Sequence, residues 1–356
     1  MTPAHAPPSP APLLDVQQLA ITLRTPRGPV RAVHDVDFAL QPGATLGLIG
    51  ESGCGKSLTA LALMGLLPEG ARVQGRIRLD GQELLPMTEP QWCRLRGDRI
   101  GMVFQEPMTA LNPVHTIGRQ VAEPLRLHRG LSARQARAEA VALLERVGIA
   151  QAAQRLDAYP HQFSGGQRQR ITIAMALACG PQLLIADEPT TALDVTLQRQ
   201  ILELIQGLVA ERGMALILIS HDLGVIAQNV QRTLVMYGGT VVEAGPTREV
   251  FRTQAHPYTR GLFAARPQWG SARVPGARLP TIAGTVPDLA DLPPGCPFAG
   301  RCPLTVPDCH AALPPATALG QGSVIISGGA RSLIDHPLQR HAAPRAERRR
   351  RAPAPA

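Results

Sequence analysis

Residues 50–57, with the sequence GESGCGKS, constrain the fold of this 356-residue chain more than any other segment. They match the phosphate-binding pattern G-x-x-x-x-G-K-[ST], which requires a strand before it and a helix after it. The apolar run 45–49 predicts that strand, and the apolar run 58–67 predicts a buried helix. Glycines are needed because the backbone must curl around an anion and present its N–H groups to it. The segment therefore predicts a phosphate-binding loop within an α/β fold.

Lys56 is the only lysine among the 36 lysine and arginine residues of the chain, and it lies inside this pattern. A compact ammonium group can reach the terminal phosphates in so tight a loop, whereas the planar fork of arginine cannot. Lys56 is therefore predicted to be catalytic as well as nucleotide-binding, and the hydroxyl of Ser57 is expected to bind Mg²⁺. The residues of this loop predicted to bind nucleotide are Gly50, Glu51, Ser52, Gly53, Cys54, Gly55, Lys56 and Ser57.

Two further apolar runs end in polar residues. Residues 183–186 are followed by Asp187 and Glu188, and residues 215–219 are followed by Ser220 and His221. Apolar strands separated by helices predict a parallel sheet covered on both faces, with ligands beyond the carboxyl ends of the strands. Asp187 is then expected to hold Mg²⁺ through water, and Glu188 to orient or deprotonate the attacking water. His221 is placed to contact the γ-phosphate or that water.

The segment 162–167, QFSGGQ, predicts a second phosphate site. Ser164 can cap a helix with Gln167 at the third position, and the two glycines between them leave backbone amides free to face an anion. One nucleotide in the chain's own loop leaves this second site without a ligand. The nucleotide of another subunit is therefore its expected ligand.

Residues 164–167 match the signature of ATP-binding cassette (ABC) proteins, and the stretch from about residue 14 to 250 resembles one nucleotide-binding domain in the order and spacing of its motifs. The resemblance implies an α/β P-loop NTPase fold, with a RecA-like parallel sheet, an antiparallel β subdomain and an inserted helical subdomain at about 107–170. A small irregular C-terminal domain is expected to follow. ATP and Mg²⁺ are the implied ligands, and ATP hydrolysis is the implied reaction.

The resemblance also implies roles for single residues. Gln105 would be the Gln-loop residue, catalytic and in contact with Mg²⁺, and His221 would be the switch histidine. Asp194 would end the D-loop at 191–194. Leu23 stands where the family often has an aromatic residue that stacks on adenine, so it can give apolar contact without ring stacking. Two domains would pair head to tail, with Lys56 of one chain and the signature of the other on each ATP; the signature residues are Ser164, Gly165, Gly166 and Gln167.

Two stretches resemble the dipeptide, oligopeptide and nickel importer subfamily: residues 104–113, running on to 118, and residues 256–262, HPYTRGL. This implies an ATP-hydrolysing subunit at the cytoplasmic face of the inner membrane, bound peripherally to two transmembrane permease subunits. An extracytoplasmic solute-binding protein and a second ATPase subunit, either a paralogue or another copy, complete the implied partners. The alternative is a soluble ABC ATPase that acts on nucleic acid or ribosomes, which only the arginine-rich tail at 341–356 favours.

Cys296, Cys302 and Cys309 are separated by five and six residues and resemble the C-terminal iron–sulfur motif of this subfamily. Where a fourth cysteine is expected, the chain has Asp335 and His336. Three alternatives stay open: a [4Fe–4S] cluster with Asp335 as fourth ligand, zinc with His310 or His336, or no metal.

Composition suggests how the chain is organised. Residues 1–12 are proline-rich and predict a disordered lead. We expect the nucleotide-binding domain to span 13–253 and the C-terminal domain with the cysteines to span 254–340. Residues 341–356 include the run RAERRRR, which supplies much of the net charge of +9 and predicts a solvated, disordered tail rather than a nucleic-acid contact. No apolar run approaches the roughly 20 residues that span a bilayer.

Overall fold

The computed structural model describes residues 11–191, 193–266, 280–319 and 323–326, with the backbone alone at 107–108 and 323–326. Asp335, His336 and the basic tail at 341–356 lie outside these ranges, as does most of the proline-rich lead.

The centre of the fold is a parallel sheet. Its strands run in the order β6-β7-β8-β3-β9, where β3 is Thr45–Ile49, β6 Ile100–Val103, β7 Leu183–Asp187, β8 Ala215–Ile219 and β9 Arg232–Tyr237. Neighbours in the sheet are distant in sequence because helices connect them. The strands predicted at 45–49, 183–186 and 215–219 are confirmed, and every residue of β7 and β8 is buried.

Alternate residues of these strands supply two different hydrophobic cores. Leu184 and Leu216 pack into the core beneath the helices, whereas Ile185 and Ile217 pack into the core beneath a second sheet. Successive side chains of a strand point to opposite faces, so a strand apolar at every position must be covered on both sides. The predicted two-sided burial of the sheet is therefore confirmed.

An antiparallel sheet covers one face, in the order β2-β1-β4-β5. Its strands are β1 Leu14–Thr25, β2 Gly28–Leu40, β4 Arg72–Leu79 and β5 Gln82–Glu83. Helices α1 (Lys56–Leu63) and α2 (Glu89–Leu95) share its core. The predicted helix at 58–67 is wrong at both ends: α1 begins at Lys56 and ends at Leu63, because Gly65 takes a left-handed φ of 61° and packs closely against Trp92.

Helices cover the other face. They are α3 Pro107–Ala110, α4 Ile117–Arg129, α5 Ala133–Arg146, α6 Ala152–Arg155, α7 Gly165–Leu177, α8 Val195–Arg212 and α9 Leu223–Asn229. Residues Ser132 and Gln135 form a reciprocal capping box that fixes the start of α5. Gly213, with φ 62°, ends α8 in the left-handed conformation that favours glycine.

The C-terminal part of the chain extends the central sheet. Strand β10 (Thr240–Pro246) pairs antiparallel with β9, and the hairpin of β11 (Ala316–Leu319) and β12 (Ser323–Ile326) adds to the edge of β10. Between them lie α10 (Thr247–Thr253), α11 (Pro257–Ala264) and α12 (Asp308–Ala311). The sequence predicted an irregular segment here and missed the hairpin. Among the described residues, no helix combines the length and the apolarity needed to cross a bilayer.

Candidate functional site

The phosphate-binding loop lies at the carboxyl end of β3. Gly50, Gly53 and Gly55 all have positive φ values, of 151°, 81° and 97°. A Cβ atom on Gly50 would lie 2.2 Å from the carbonyl oxygen of Met236 on β9, so only glycine fits. The loop therefore curls tightly enough to direct its backbone N–H groups at an anion.

The side chain of Lys56 is folded into this loop and is only 6% exposed. Its Nζ donates to the carbonyl oxygens of Gly50 and Glu51 at 2.8 and 3.0 Å, and lies 3.6 Å from Sγ of Cys54. Burial raises the pKa of the Cys54 thiol, which keeps it neutral beside the ammonium. Phosphate oxygens, as charged acceptors, would bind Lys56 more strongly than these carbonyls do.

Asp187, the last residue of β7, supplies the carboxylate expected to bind Mg²⁺. It is 5% exposed, and its Oδ1 is buried without a hydrogen-bond partner. Burial raises its pKa, and a hydrogen bond from Ser57 opposes that shift. A buried carboxylate oxygen without a partner costs free energy unless a cation or water binds it. The pair of Asp187 and Ser57 therefore fits a hard cation such as Mg²⁺.

The structure brings together three residues that the sequence placed near the reacting water. Oε2 of Glu188 accepts a hydrogen bond from Nε2 of Gln105 at 3.4 Å and lies 3.2 Å from Nδ1 of His221. Thr191, whose contact with this group sequence reasoning missed, donates its hydroxyl to the same Oε2 at 2.9 Å. Glu188 has a left-handed φ of 46°, which is uncommon for a residue other than glycine and marks candidate functional positions.

The signature segment begins α7, and its first two residues, Ser164 and Gly165, are exposed. Ser164 and Gln167 cap the helix reciprocally, with Ser164 Oγ accepting from the Gln167 N–H at 3.4 Å. Gly166 packs against Leu197 of α8, and Asp194 caps α8 through the N–H of Leu197 at 2.9 Å. In the part of the chain that the structure describes, no hydrogen bond joins Ser164 to the phosphate-binding loop of the same chain.

Comparisons with known proteins identify the family. The family model described as "ABC transporter" matches residues 33–191, and the one described as "Oligopeptide/dipeptide transporter, C-terminal region" matches residues 242–309. Proteins of Brucella melitensis and Brucella abortus, each named as a peptide import ATP-binding protein, are 52% identical over 320 residues, covering 87% of this chain and 95% of theirs. This chain belongs to the ABC transporter family.

Solved structures agree on the fold. The dimeric structure of an ATP-binding cassette in a post-hydrolysis state, bound to ADP and Pi, has a TM-score of 0.60 and 27% identity, covering 66% of this chain and 99% of that one. The structure of the CbiO1 protein of Clostridium perfringens has a TM-score of 0.58 and 27% identity, covering 68% of this chain and 92% of that one. The predicted P-loop NTPase fold is confirmed, and as an ABC ATPase subunit the chain hydrolyses ATP. ABC ATPases in general use ATP with Mg²⁺, form dimers and bind permease partners as peripheral membrane proteins.

Leu23 of the ABC subunit lies on β1 opposite Val30. It is half-buried and packs against the hydrophobic core below the antiparallel sheet, so only part of its side chain is free to contact a base. Its contact with adenine stays a prediction.

Within the described residues, none of the three C-terminal cysteines takes part in a disulfide bond. Cys296 and Cys309 are buried and joined by a backbone hydrogen bond of 2.7 Å, and Cys302 is half-buried. Burial raises the pKa of the Cys302 thiol. Within the described ranges, no group of three or more cysteine, histidine or acidic residues is placed to hold a metal ion. The described residues around the three cysteines therefore do not form a set of metal ligands. Two candidates for a fourth ligand, Asp335 and His336, lie outside the described ranges.

Two residues of the C-terminal part contact the phosphate-binding loop, and sequence reasoning missed both contacts. The hydroxyl of Tyr258 accepts a hydrogen bond from the N–H of Glu51 at 2.7 Å, and Arg301 forms an ion pair with the Glu51 carboxylate at 2.8 Å. The residues are separated by 207 and 250 positions, so no local pattern could have indicated the contacts.

Proposed function

We propose that this ABC ATPase subunit powers the uptake of peptides, or of a related solute such as nickel, across the cytoplasmic membrane. The observation that carries the proposal is the oligopeptide/dipeptide transporter region at 242–309 on an ABC core, in a chain half identical to proteins named for peptide import. A second copy or a paralogue would complete the ATP-binding dimer, and an extracytoplasmic protein would deliver the solute.

The site residues have the following proposed roles. Bound Mg²⁺ would neutralise phosphate charge, held by Ser57, Asp187 and Gln105. Lys56 would bind the terminal phosphates, and Glu188 would accept a proton from the attacking water. Gln105 and His221, which both contact Oε2 of Glu188, would orient that carboxylate and the attacking water. The signature at 164–167 would close over the partner's nucleotide.

An apolar cleft beside Gln105 is the proposed docking site for a permease subunit. It lies between the central sheet and the helices, and Leu66, Phe104 and Leu127 line it with exposed fractions of 38%, 41% and 73%. Large apolar side chains exposed together mark an interaction surface. Phe104 directly precedes Gln105, so a partner in this cleft would contact the chain beside the ATP site.

Purification of the intact complex from membranes tests the proposal. We expect two permease subunits to co-purify, and ATP hydrolysis in reconstituted vesicles to rise when a peptide-loaded binding protein is added. Leu127→Glu should abolish this stimulation and leave the hydrolysis of the isolated subunit unchanged, since Leu127 is far more exposed than a core residue. Stimulation by neither peptide nor nickel would reject the assigned solute class.

The cysteines carry a separate prediction. A [4Fe–4S] cluster on Cys296, Cys302, Cys309 and Asp335 would give the anaerobically purified protein visible absorption that bleaches on reduction. Bound zinc without such absorption would indicate the zinc alternative with His310 or His336. Protein that contains neither iron nor zinc would indicate that these thiols bind no metal. No step of the ATPase reaction depends on this outcome.

A further inference from the structure

The C-terminal part of the chain holds the phosphate-binding loop by a side chain that is almost completely buried. Nη1 and Nη2 of Arg301 donate to the two carboxylate oxygens of Glu51 at 2.8 and 3.2 Å, and the Arg301 side chain is only 7% exposed. Nε of Arg301 donates to the carbonyl oxygen of Ala283 at 2.8 Å. A two-pronged pair with a buried guanidinium is geometrically specific, unlike an exposed ion pair.

Tyr258 fixes the backbone of the same loop residue. Its hydroxyl accepts from the Glu51 N–H, while its ring is fully buried against Tyr237 and Phe298, with ring centroids 4.7 and 5.4 Å away. Nη1 of Arg301 also lies 3.3 Å from the hydroxyl of Tyr237. The aromatic cluster therefore ties both groups that hold Glu51 to one rigid support.

The charge of Glu51 explains why such a support matters. Glu51 lies in a loop predicted to bind a triphosphate, and its carbonyl oxygen is one of the acceptors of Lys56. A carboxylate near phosphates repels them, and at a partly buried site water screens this repulsion less than at an exposed one. Removing Arg301 would leave this carboxylate without its neutralising partner and free the side chain to move.

We propose that Arg301 and Tyr258 are positioning residues of the ATP site: Arg301 neutralises and orients Glu51, and Tyr258 fixes its backbone, so that the phosphate-binding loop is held from the C-terminal part of the chain. The inference rests on ATP binding at residues 50–57 and does not depend on the transported solute. It gives the C-terminal region a task in nucleotide binding that is separate from any metal on its cysteines.

Binding of MgATP to the full-length subunit, made unable to turn over by Glu188→Gln, tests the proposal. We expect Arg301→Gln to raise the dissociation constant about tenfold, which corresponds to about 1.4 kcal/mol. Adding Glu51→Gln to Arg301→Gln should restore most of the affinity, because the unpaired carboxylate is then gone. Arg301→Lys should be intermediate, since it keeps the charge without the fork. Tyr258→Phe keeps the ring and its packing and should raise the constant about threefold, in line with the loss of one hydrogen bond.

Arg27→Gln is the matched control. Arg27 pairs with Asp291 at 2.6 Å and so also joins the antiparallel sheet to the C-terminal part, but the Arg27 side chain is 60% exposed and lies outside the loop. This variant should bind MgATP like the parent. A purely structural role for Arg301 would lower the melting temperature and leave affinity unchanged in the folded protein. Folded Arg301→Gln and Tyr258→Phe proteins with the parent's affinity, or no recovery in the Glu51→Gln double variant, would overturn the proposal. A lack of peptide uptake would count against the proposed function only.

Discussion

Oε2 of Glu188 lies 3.2 Å from Nδ1 of His221, although the two residues follow different strands of the central sheet. The strands β7 and β8 are parallel neighbours, so their carboxyl ends deliver both side chains to one edge. Glu188 is only 16% exposed, and Gln105 and Thr191 bind the same oxygen. Its carboxylate is thus oriented before any nucleotide arrives.

Glu188→Gln should abolish steady-state hydrolysis while ATP binding persists. The amide keeps the shape of the side chain and loses the ability to accept a proton, and a general base contributes roughly 100- to 10,000-fold to a rate. We expect turnover to fall by at least about 100-fold, with ATP-dependent dimerisation retained, measured by phosphate release and gel filtration. Glu203→Gln on the exposed face of α8, where Glu203 pairs with Arg199, should change neither. Normal turnover in the Glu188 variant would reject the assigned role.

Gly165→Val should separate folding from dimer function. A Cβ atom at Gly165 meets nothing within 4 Å in this chain, so we expect the melting temperature to stay within about 2 °C of the parent's. If the signature faces a partner's phosphates, the added side chain blocks close approach of that nucleotide, and hydrolysis should fall more than about tenfold. Gly165→Ala should give a smaller loss. Full activity in the valine variant would mean that residue 165 does not face the partner's nucleotide.

The sequence predicted the residues at strand ends well, because parallel strands place their carboxyl ends at one edge whatever the loops do. Local spacing likewise predicted the cap formed by Ser164 and Gln167. It could not predict that Arg301 pairs with Glu51, since only packing of the whole chain brings them together. The end of α1 at Leu63 was missed for a similar reason: the left-handed turn at Gly65 depends on the ring of Trp92, which lies on another helix.

Gly101→Ala should destabilise the core, and Gly207→Ala should do the opposite. A Cβ atom at Gly101 on β6 would lie 2.4 Å from the backbone oxygen of Ala176 on α7, which cannot move away alone. Overpacking of this kind lowers the free energy of unfolding by about 1–3 kcal/mol. Gly207 lies on the exposed face of α8 with open space around it, so alanine should stabilise by about 0.5–1 kcal/mol through helix propensity. Urea unfolding measures both, and equal effects would contradict the close approach of β6 and α7.

His256 should make the protein less stable as the pH falls below 6.5. The side chain is 1% exposed, and burial, with a smaller contribution from Arg260, lowers its pKa from 6.5 to about 3. Between these values the unfolded chain binds a proton that the folded protein does not, so a falling pH favours unfolding. From pH 6.5 to pH 5 this group alone should remove about 1.5 kcal/mol from the free energy of unfolding.

His256→Asn isolates this contribution. Nδ1 of His256 accepts the N–H of Tyr258 at 3.1 Å and so caps α11, a task that the asparagine oxygen can also perform. Burial raises the pKa of the neighbouring Glu243. The folded protein keeps this carboxyl proton to a higher pH than the unfolded chain does, so a falling pH favours the folded state at Glu243, opposite to the effect of His256. Glu243 is present in both proteins, so its contribution cancels when their unfolding free energies are compared at each pH. The asparagine variant should therefore show a flatter dependence between pH 6.5 and pH 5, and an unchanged slope would mean that His256 is protonated in the folded protein.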